Sequence, residues 1–286
     1  MSIIDGKAVS KIEKIQLREL VIKFPNKLCF VAIQVGNDPA SLVYLKEKQK
    51  MSEELNINFK LLYFEDLTYK QLTEIIHTIN NDTSIHGCII QLPLPPHINP
   101  DIVNLINYKK DVDGFTTHNL GCLAKGKPYL CSATPLGITK LIDFYKIPTK
   151  GKHCVIIGKS NIVGKPMSLL MANENTYCAT VTTCDKYTIN LRNIVRTADI
   201  LIVCAGKHHL IDSSFIVKSD ISIIDVGIHR IVDNNKVKGY RLEGDVDFNY
   251  FKDKCAYITP VPGGVGPMTV LSLMSNIVTA YVRQSE

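Results

Sequence analysis

Three side chains able to take part in chemistry lie at helical spacing near the start of the chain. Ser41, Tyr44 and Lys48 follow Asp38-Pro39, and an aspartate before a proline favours the start of a helix. Steps of three and four residues place the three side chains along one helix face. A hydroxyl, an aromatic ring and an amine are therefore expected to converge. Taken alone, this pattern more often reflects a half-buried ring and a solvated charge.

A glycine-containing loop between a predicted strand and a predicted helix is the second feature. It reads Gly158-Lys159-Ser160-Asn-Ile-Val-Gly164, and such a loop can bind the pyrophosphate of a dinucleotide at the helix N-terminus. We expect Gly158 to form the tight turn and Gly164 to let the helix pack close to the sheet. The segment departs from G-x-G-x-x-G, because Ser160 replaces the middle glycine and the last glycine comes one residue late. An ordinary strand-to-helix turn is the alternative.

The end of the next predicted strand bears on the choice of dinucleotide. Cys184 is followed there by Asp185 and Lys186. Asp185 favours NAD, because a carboxylate accepts a hydrogen bond from the ribose hydroxyl, whereas Lys159 and Lys186 favour NADP, because they bring positive charge to the ribose phosphate. We expect NADP to be preferred, since Asp185 can turn away into solvent, and NAD is the alternative.

Short apolar runs alternate with helical patterns along the whole chain. This alternation predicts an α/β protein with a mostly parallel sheet in each half. At 286 residues two domains are expected: a substrate-binding and catalytic domain at 1–137, joined by a C-terminal helix at 268–286, and a Rossmann-like dinucleotide-binding domain at 138–267. Residues 228–246 read as a two-stranded arm, which could serve a dimer or form a plain surface hairpin.

The composition excludes several classes of protein. With 45% hydrophobic and 21% charged residues, the chain is globular, and no segment reads as a signal peptide or a membrane span. Nine cysteines without a Cys-x-x-Cys pair indicate reduced core residues of a cytoplasmic protein. The histidines, His208-His209 included, show no metal-ligand spacing, so no metal is predicted. The net charge of +6 comes from scattered lysines, which favours an anionic small molecule over nucleic acid.

Three further segments occur in order with the two described above. They are His86-Gly-Cys-Ile-Ile-Gln-Leu-Pro-Leu-Pro95, Lys110-Asp-Val-Asp-Gly-Phe115 and Thr259-Pro-Val-Pro-Gly-Gly-Val-Gly-Pro-Met-Thr269. Together with Tyr44-x-x-x-Lys48 and Gly158–Met167, they closely resemble the bifunctional methylenetetrahydrofolate dehydrogenase/methenyltetrahydrofolate cyclohydrolase family, from about residue 5 to 282.

The resemblance implies a folate site in a cleft between the two domains. It implies that Lys48 is the proton-handling catalytic group, that Gln91 contacts and tunes it, and that Tyr44 stacks on the ligand beside Ser41. It also implies that Asp113 holds the pterin. Pro262, Gly263 and Gly264 would pass close to the folate.

The chain departs from the family pattern in three places. Lys159 stands where the family usually has arginine, Asp185-Lys186 where it has His-Ser, and Ser132-Ala133-Thr134-Pro135 where it has Pro-Cys-Thr-Pro. The first two leave the cofactor open between NADP and NAD. The third affects only packing near the domain junction.

The expected function is oxidation of methylenetetrahydrofolate with NADP, followed by hydrolysis of the methenyl product to formyltetrahydrofolate. We expect a homodimer formed through the second domain, with no nucleic-acid or membrane partner. The alternatives are a monofunctional NAD-dependent dehydrogenase, a dinucleotide-dependent enzyme acting on another acid, and a non-catalytic dinucleotide-binding protein. The presence of Lys48 and Gln91 favours two activities.

Overall fold

The computed structural model describes residues 2–24, 28–236 and 239–285. Within these residues the strands are β1 (Ser2–Ile3), β2 (Cys29–Val35), β3 (Asn58–Phe64), β4 (Gly87–Ile90), β5 (His153–Ile157), β6 (Thr180–Cys184), β7 (Ile200–Val203), β8 (Ser222–Asp225), β9 (His229–Val232), β10 (Tyr240–Glu243) and β11 (Tyr257–Ile258). The helices are α1 (Gly6–Ile22), α2 (Pro39–Glu54), α3 (Tyr69–Asn81), α4 (Thr117–Ala124), α5 (Ala133–Phe144), α6 (Gly164–Ala172), α7 (Leu191–Thr197), α8 (Phe248–Phe251) and α9 (Val265–Ser285), and a 3-10 helix covers Pro100–Leu105.

The chain divides into two compact units, with boundaries after Ser10, before Thr134 and after Thr269. We call residues 11–133 with the chain from 270 onwards the three-stranded unit, and the remainder the six-stranded unit. The boundaries predicted from the sequence lie at 137/138 and 267/268, with residues 1–10 in the first domain. In the structure those first residues belong to the six-stranded unit, because β1 pairs with β11. A two-residue strand carries too little pattern to be predicted.

The six-stranded sheet has the order β1-β11-β8-β7-β5-β6, and every strand pair in it is parallel. Strands β7 and β8 are buried at every residue, as expected for parallel strands covered on both faces. The strand order reverses at β5, which has β6 on one side and β7 on the other. In doubly wound sheets, ligands bind at the carboxyl ends of the strands at such a switch point.

The three-stranded sheet has the order β3-β2-β4 and is also parallel. The central strand β2 is buried throughout, whereas the edge strand β3 is largely exposed. Parallel strands are usually covered on both faces, and this holds for β2 and β4 but not for β3. One face of β2 and β4 packs on α3 in a core of aliphatic side chains, among them Val31, Ile33, Ile76, Ile79 and Ile90.

The predicted two-stranded arm is present as the antiparallel pair of β9 and β10. Val232 pairs with Tyr240 and His229 pairs with Glu243. Residues 237 and 238, in the connection between the strands, lie outside the described residues.

Within the described residues, one helix, α9, is long and apolar enough to cross a membrane by length and composition alone. Its most apolar 18-residue window is 61% buried inside the protein. Such burial is typical of the core helix of a folded domain, and we interpret α9 in that way.

The segment around Asp113 is anchored by the two residues before Val112. Lys110 is buried, and its Nζ donates to three backbone oxygens at 2.7–3.0 Å where α3 ends. Asp111 is also buried, and its carboxylate accepts hydrogen bonds from the backbone nitrogens of Phe115 and Thr116 and from the side chain of Asn119, at 2.8–3.1 Å. These contacts fix the backbone on both sides of Asp113.

We predict that Asp111→Ala lowers the free energy of unfolding of the three-stranded unit by roughly 3 kcal/mol or more. The substitution leaves three donors without their acceptor, and each buried unsatisfied donor costs about 1–3 kcal/mol. Urea unfolding followed by circular dichroism measures the change. The exposed Glu65→Ala serves as the control, and equal unfolding midpoints for the two variants would contradict the anchoring role.

Candidate active site

Helix α2 begins at Pro39 with a capped first turn. The Asp38 carboxylate accepts a hydrogen bond from the backbone nitrogen of Ser41 at 2.7 Å, as the sequence predicts. The hydroxyl of Ser41 is buried and donates to the backbone oxygen of Leu92 at 3.1 Å. The helix face that carries Ser41 is therefore tied to the segment that follows β4.

Lys48 lies on the same face and contacts that segment as well. Its Nζ donates to the Oε1 atom of Gln91 at 2.9 Å. The amide nitrogen of Gln91 donates in turn to the backbone oxygen of Leu92, also at 2.9 Å, which fixes the orientation of the amide. The structure thus brings together Ser41, Lys48 and Gln91, which the sequence analysis selected from separate segments. Tyr44, between Ser41 and Lys48 on the helix, keeps 38% of its surface exposed.

Burial governs the charge state of Lys48 and Asp113. It lowers the pKa of the Lys48 amine, and the Asp113 carboxylate only partly opposes this effect. Burial raises the pKa of Asp113 to about 6, with Lys48 acting against the shift and Asp111 adding to it. Desolvation disfavours the charged form of both groups. The site therefore holds an amine that loses its proton more readily than usual and a carboxyl that keeps its proton longer than usual.

Gln34 is a residue that the sequence analysis missed. Ile33 pairs with Ile90 on the core face of β2 and β4, so Gln34 and Gln91, one residue further, turn to the opposite face. Gln34 is fully buried, and its amide nitrogen donates to two backbone oxygens at 3.2 and 2.9 Å. Its Oε1 atom has no hydrogen-bond partner among the described residues. The available signal was a single amide in an otherwise apolar strand.

In the six-stranded unit, the glycine loop leads from β5 to α6 as predicted. Gly158 has a φ of +127°, and a Cβ atom there would lie 2.4 Å from the backbone oxygen of Cys204, at the end of β7. A Cβ atom on Gly164 would lie 1.9 Å from the oxygen of Gly158. The Ser160 hydroxyl accepts hydrogen bonds from the backbone nitrogens of Val163 and Gly164 at 3.2 and 3.5 Å. Ser160 therefore replaces the missing middle glycine with a cap for the first turn of α6.

The sequence suggests that Asp185 can turn away into solvent, but in the structure its carboxylate is held in place. Its carboxylate pairs with the Lys159 amine at 3.2 Å and accepts the backbone nitrogen of Tyr187 at 3.1 Å. The turn after β6 fixes the orientation of the carboxylate. Its ion pair with Lys159 could not be predicted from the sequence, because the two residues are 26 positions apart in the chain. The amine of Lys186 lies over the Tyr187 ring, 5.0 Å from its centre. Of the two candidate phosphate ligands, Lys159 is therefore already paired with Asp185.

Pro262, Gly263 and Gly264 belong to the six-stranded unit and follow β11. Gly263 has a φ of +108°, its backbone oxygen accepts from Lys7, and the nitrogen of Gly264 donates to the oxygen of Pro260, both at 2.9 Å. The segment is thus held in a tight turn by backbone contacts within its own unit.

Comparison with known proteins matches both parts of the chain to one family. Residues 4–113 match the family model for the catalytic domain of tetrahydrofolate dehydrogenase/cyclohydrolase, and residues 132–285 match the model for the NAD(P)-binding domain of the same family. The bifunctional protein FolD of Agathobacter rectalis is 46% identical over 288 residues, which cover 99% of each chain.

Two solved structures agree with this chain in fold. The bifunctional methylenetetrahydrofolate dehydrogenase/cyclohydrolase FolD of Campylobacter jejuni is 42% identical with a TM-score of 0.91, and 99% of each chain is covered. The Trypanosoma brucei N5,N10-methylenetetrahydrofolate dehydrogenase-cyclohydrolase, complexed with NADP and an inhibitor, is 32% identical with a TM-score of 0.93, over 100% of this chain and 98% of the other.

These matches confirm the resemblance that the sequence segments indicated. The two family domains occur in order over nearly the whole chain, and relatives above 40% identity match it from end to end. The chain belongs to the tetrahydrofolate dehydrogenase/cyclohydrolase family.

Proposed function

We propose that this protein is a bifunctional enzyme of one-carbon metabolism. It oxidises methylenetetrahydrofolate by hydride transfer to NADP, and it adds water to the methenyltetrahydrofolate that results, giving formyltetrahydrofolate. The observation that carries this proposal is the hydrogen bond between Lys48 and Gln91, made by an amine whose pKa is lowered by burial. A monofunctional dehydrogenase needs no such proton-handling pair.

The glycine loop after β5 fits the dinucleotide. Glycine at 158 lets the loop pack against the end of β7, and glycine at 164 lets α6 start close to the loop. In this tight strand–loop–helix arrangement a phosphate group binds at the helix N-terminus. NADP, when bound, supplies the hydride acceptor. The contribution of the chain to this step is positioning, since the folate nitrogens stabilise the cation formed from the methylene bridge.

The hydrolytic step depends on a proton acceptor. A water molecule attacks the methenyl carbon, one carbon–nitrogen bond of the bridge opens, and the formyl group stays on the other nitrogen with net release of one proton. An amine at its ordinary pKa is almost always protonated at neutral pH and cannot accept that proton. Desolvation of Lys48, and the positive methenyl-folate beside it, favour the neutral amine. Gln91 holds this amine in place.

Asp113 is suited to bind the donor-rich edge of a pterin. Burial raises the pKa of its carboxyl to about 6, although Lys48 opposes this shift. The amino and ring N–H groups of a pterin could donate to this carboxylate and would favour its charged form. The Tyr44 ring, with its exposed face, is suited to stack on the folate.

We also infer that the enzyme is cytoplasmic and forms a homodimer through the six-stranded unit. The nine cysteines form no disulfide and most are buried, as in proteins of reducing compartments. The β9–β10 arm exposes 77% of Val232 and 45% of Ile228, and a second copy of the arm could cover these side chains.

Asp113→Asn is expected to raise the KM for folate about tenfold to a hundredfold, because one or two charge-assisted hydrogen bonds of about 1.5–3 kcal/mol are lost. The Kd for NADP should stay unchanged. The wild-type carboxyl becomes protonated as the pH falls through about 6, so the wild-type KM should rise below that pH. The KM of the variant should not follow this rise, and equal pH profiles would remove Asp113 from the site.

Replacing both Lys159 and Lys186 with alanine should weaken NADP by about tenfold or more relative to NAD, since a charge-assisted contact to the ribose phosphate is lost. Loss of Lys159 also leaves the Asp185 carboxylate unpaired, and this charge repels a phosphate but can accept from a ribose hydroxyl. Steady-state kinetics with both cofactors measure the ratio. Lys70→Ala/Lys125→Ala, which removes two exposed charges from the other unit, is the control. A wild-type kcat/KM that is higher with NAD would show that the NADP assignment is wrong.

Lys48→Met should abolish the cyclohydrolase activity and leave a reduced dehydrogenase activity. Methionine keeps most of the apolar stem but has no proton acceptor, and general-base catalysis contributes typically about a hundredfold or more. Hydrolysis of methenyltetrahydrofolate above its spontaneous rate and reduction of NADP are followed separately by absorbance.

The matched control is Lys46→Met, which removes an exposed amine from the same helix and should leave both activities intact. If Lys48→Met still hydrolyses methenyltetrahydrofolate at nearly the wild-type rate, Lys48 is a binding residue only. Equal loss of both activities would indicate a role in substrate binding or in folding of α2.

A further inference from the structure

The six-stranded unit brings two adjacent histidines and a glutamate together away from the glycine loop. His208 and His209 lie in the connection that follows β7, and Glu243 is the last residue of β10. The Nε2 atoms of His208 and His209 lie 2.6 and 3.4 Å from the same carboxylate oxygen, Oε2 of Glu243. All three potential ligand atoms lie within 4.8 Å of one another.

We propose that His208, His209 and Glu243 form a binding site for a divalent transition-metal cation of the Zn²⁺ class. Two imidazole nitrogens and one carboxylate oxygen are a ligand set that Zn²⁺ accepts, with water completing a tetrahedral arrangement. The cation would lie between the two imidazoles and the carboxylate, which contact each other directly in the structure. The sequence alone predicts no metal, because the histidines show no metal-ligand spacing; Glu243 is 35 residues from His208 in the chain and is brought to it only by the fold.

The two histidines have a backbone arrangement that directs both rings to one point. His209 has a φ of +45°, a left-handed conformation that is uncommon for residues other than glycine. The rings of His208 and His209 stack with centres 3.9 Å apart and planes 21° apart. Adjacent side chains in an extended strand point to opposite faces, so the turn at His209 is what lets both Nε2 atoms reach Glu243.

Glu243 is held in the orientation and charge state that a ligand needs. The Nε atom of Arg241 donates to Oε1 at 2.6 Å, which leaves Oε2 directed to the histidines. This contact keeps the pKa of the Glu243 carboxyl below its ordinary value. Arg241 is itself 3.5 Å from the Asp233 carboxylate, which offsets its positive charge near a bound cation. Hydrogen bonds that orient a ligand carboxylate in this way are common around metal sites.

The bound cation would join the connection after β7 to the β9–β10 arm. One such link exists already: the buried Asp245 carboxylate accepts the backbone nitrogens of Ala205 and Gly206 at 2.7 and 2.9 Å, and His229 contacts it at 2.7 Å. The cation would add a second link on the exposed side. Because the site exists only in the folded protein, the cation should raise the Tm, and the rise should grow with the logarithm of its concentration above the Kd.

Titration of the EDTA-treated full-length protein with Zn²⁺ by calorimetry tests the proposal. We expect one equivalent bound per chain and a rise in Tm. His208→Gln/His209→Asn should bind Zn²⁺ at least about a hundredfold more weakly, since even residues that only orient a ligand change affinity 10–100-fold. Asparagine tolerates the left-handed conformation at position 209, so the fold should persist. Glu243→Gln, with one atom changed, is the second variant.

The control variant is His77→Gln/His118→Asn, which removes two exposed histidines from the other unit and should bind as the wild type does. Co²⁺ as a spectroscopic probe distinguishes the ligands, because thiolate coordination gives an intense charge-transfer band that nitrogen and oxygen ligands do not. Undiminished binding in either site variant, with circular dichroism showing a native fold, would overturn the proposal. So would a thiolate band in the wild-type Co²⁺ complex, since it would place the cation on cysteine.

Discussion

The proposed chemistry of the three-stranded unit depends on one interaction: the Lys48 amine is shielded from water and is held by a neutral partner, Gln91. Burial disfavours the charged form of Lys48, and a carboxylate at position 91 would restore the proton by direct attraction. Gln91 accepts the hydrogen bond at 2.9 Å without carrying a full charge. The amine is therefore fixed in position while its pKa stays low. Asp113 acts in the opposite direction, but its own pKa is raised, so its attraction weakens as the pH falls.

The contact between Lys48 and Gln91 requires that β2 and β4 end, and α2 begins, close to one another. The parallel register of β2 and β4 brings Gln34 and Gln91 to the same level and the same face. The Asp38 cap sets where α2 begins, and the hydroxyl of Ser41 ties its first turn to Leu92. In the six-stranded unit, β5 and β7 are neighbours and also end at the same level. Gly158 follows β5, and it lies close to Cys204, which follows β7. In both units, the residues proposed to act lie where parallel strands end.

Much of this arrangement could be predicted from the sequence, and the omissions have physical reasons. The bounds of β2 and the start of α2 follow from an apolar run and from Asp38-Pro39, which are local signals. The ion pair of Lys159 and Asp185 and the meeting of His208 with Glu243 depend on the tertiary fold, which periodicity does not encode. The position of β1 was missed because two residues show no alternation.

The resemblance to the family indicates which residues belong to the site, whereas the structure shows how they contact one another. Gln91 alone reads as a polar residue at a strand end. Its role becomes clear only from the structure, in which Lys48, 43 residues away in the chain, donates a hydrogen bond to it. Roles for Gln91 and Asp113 therefore could not be obtained from spacing, whereas the face shared by Ser41, Tyr44 and Lys48 could.

Buried carboxylates show why a shifted pKa does not by itself identify a functional residue. Burial raises the pKa of Asp225 to about 7, higher than that of Asp113, although Asp225 accepts three backbone N–H groups at 2.9–3.0 Å. Asp111, two residues from Asp113, likewise has its acceptors filled by donors of its own loop. Both carboxylates are therefore held by donors of the protein itself. Burial raises the pKa of Asp113 as well, but no donor from its own loop holds its carboxylate in the described residues, so the N–H groups of a bound molecule can donate to it.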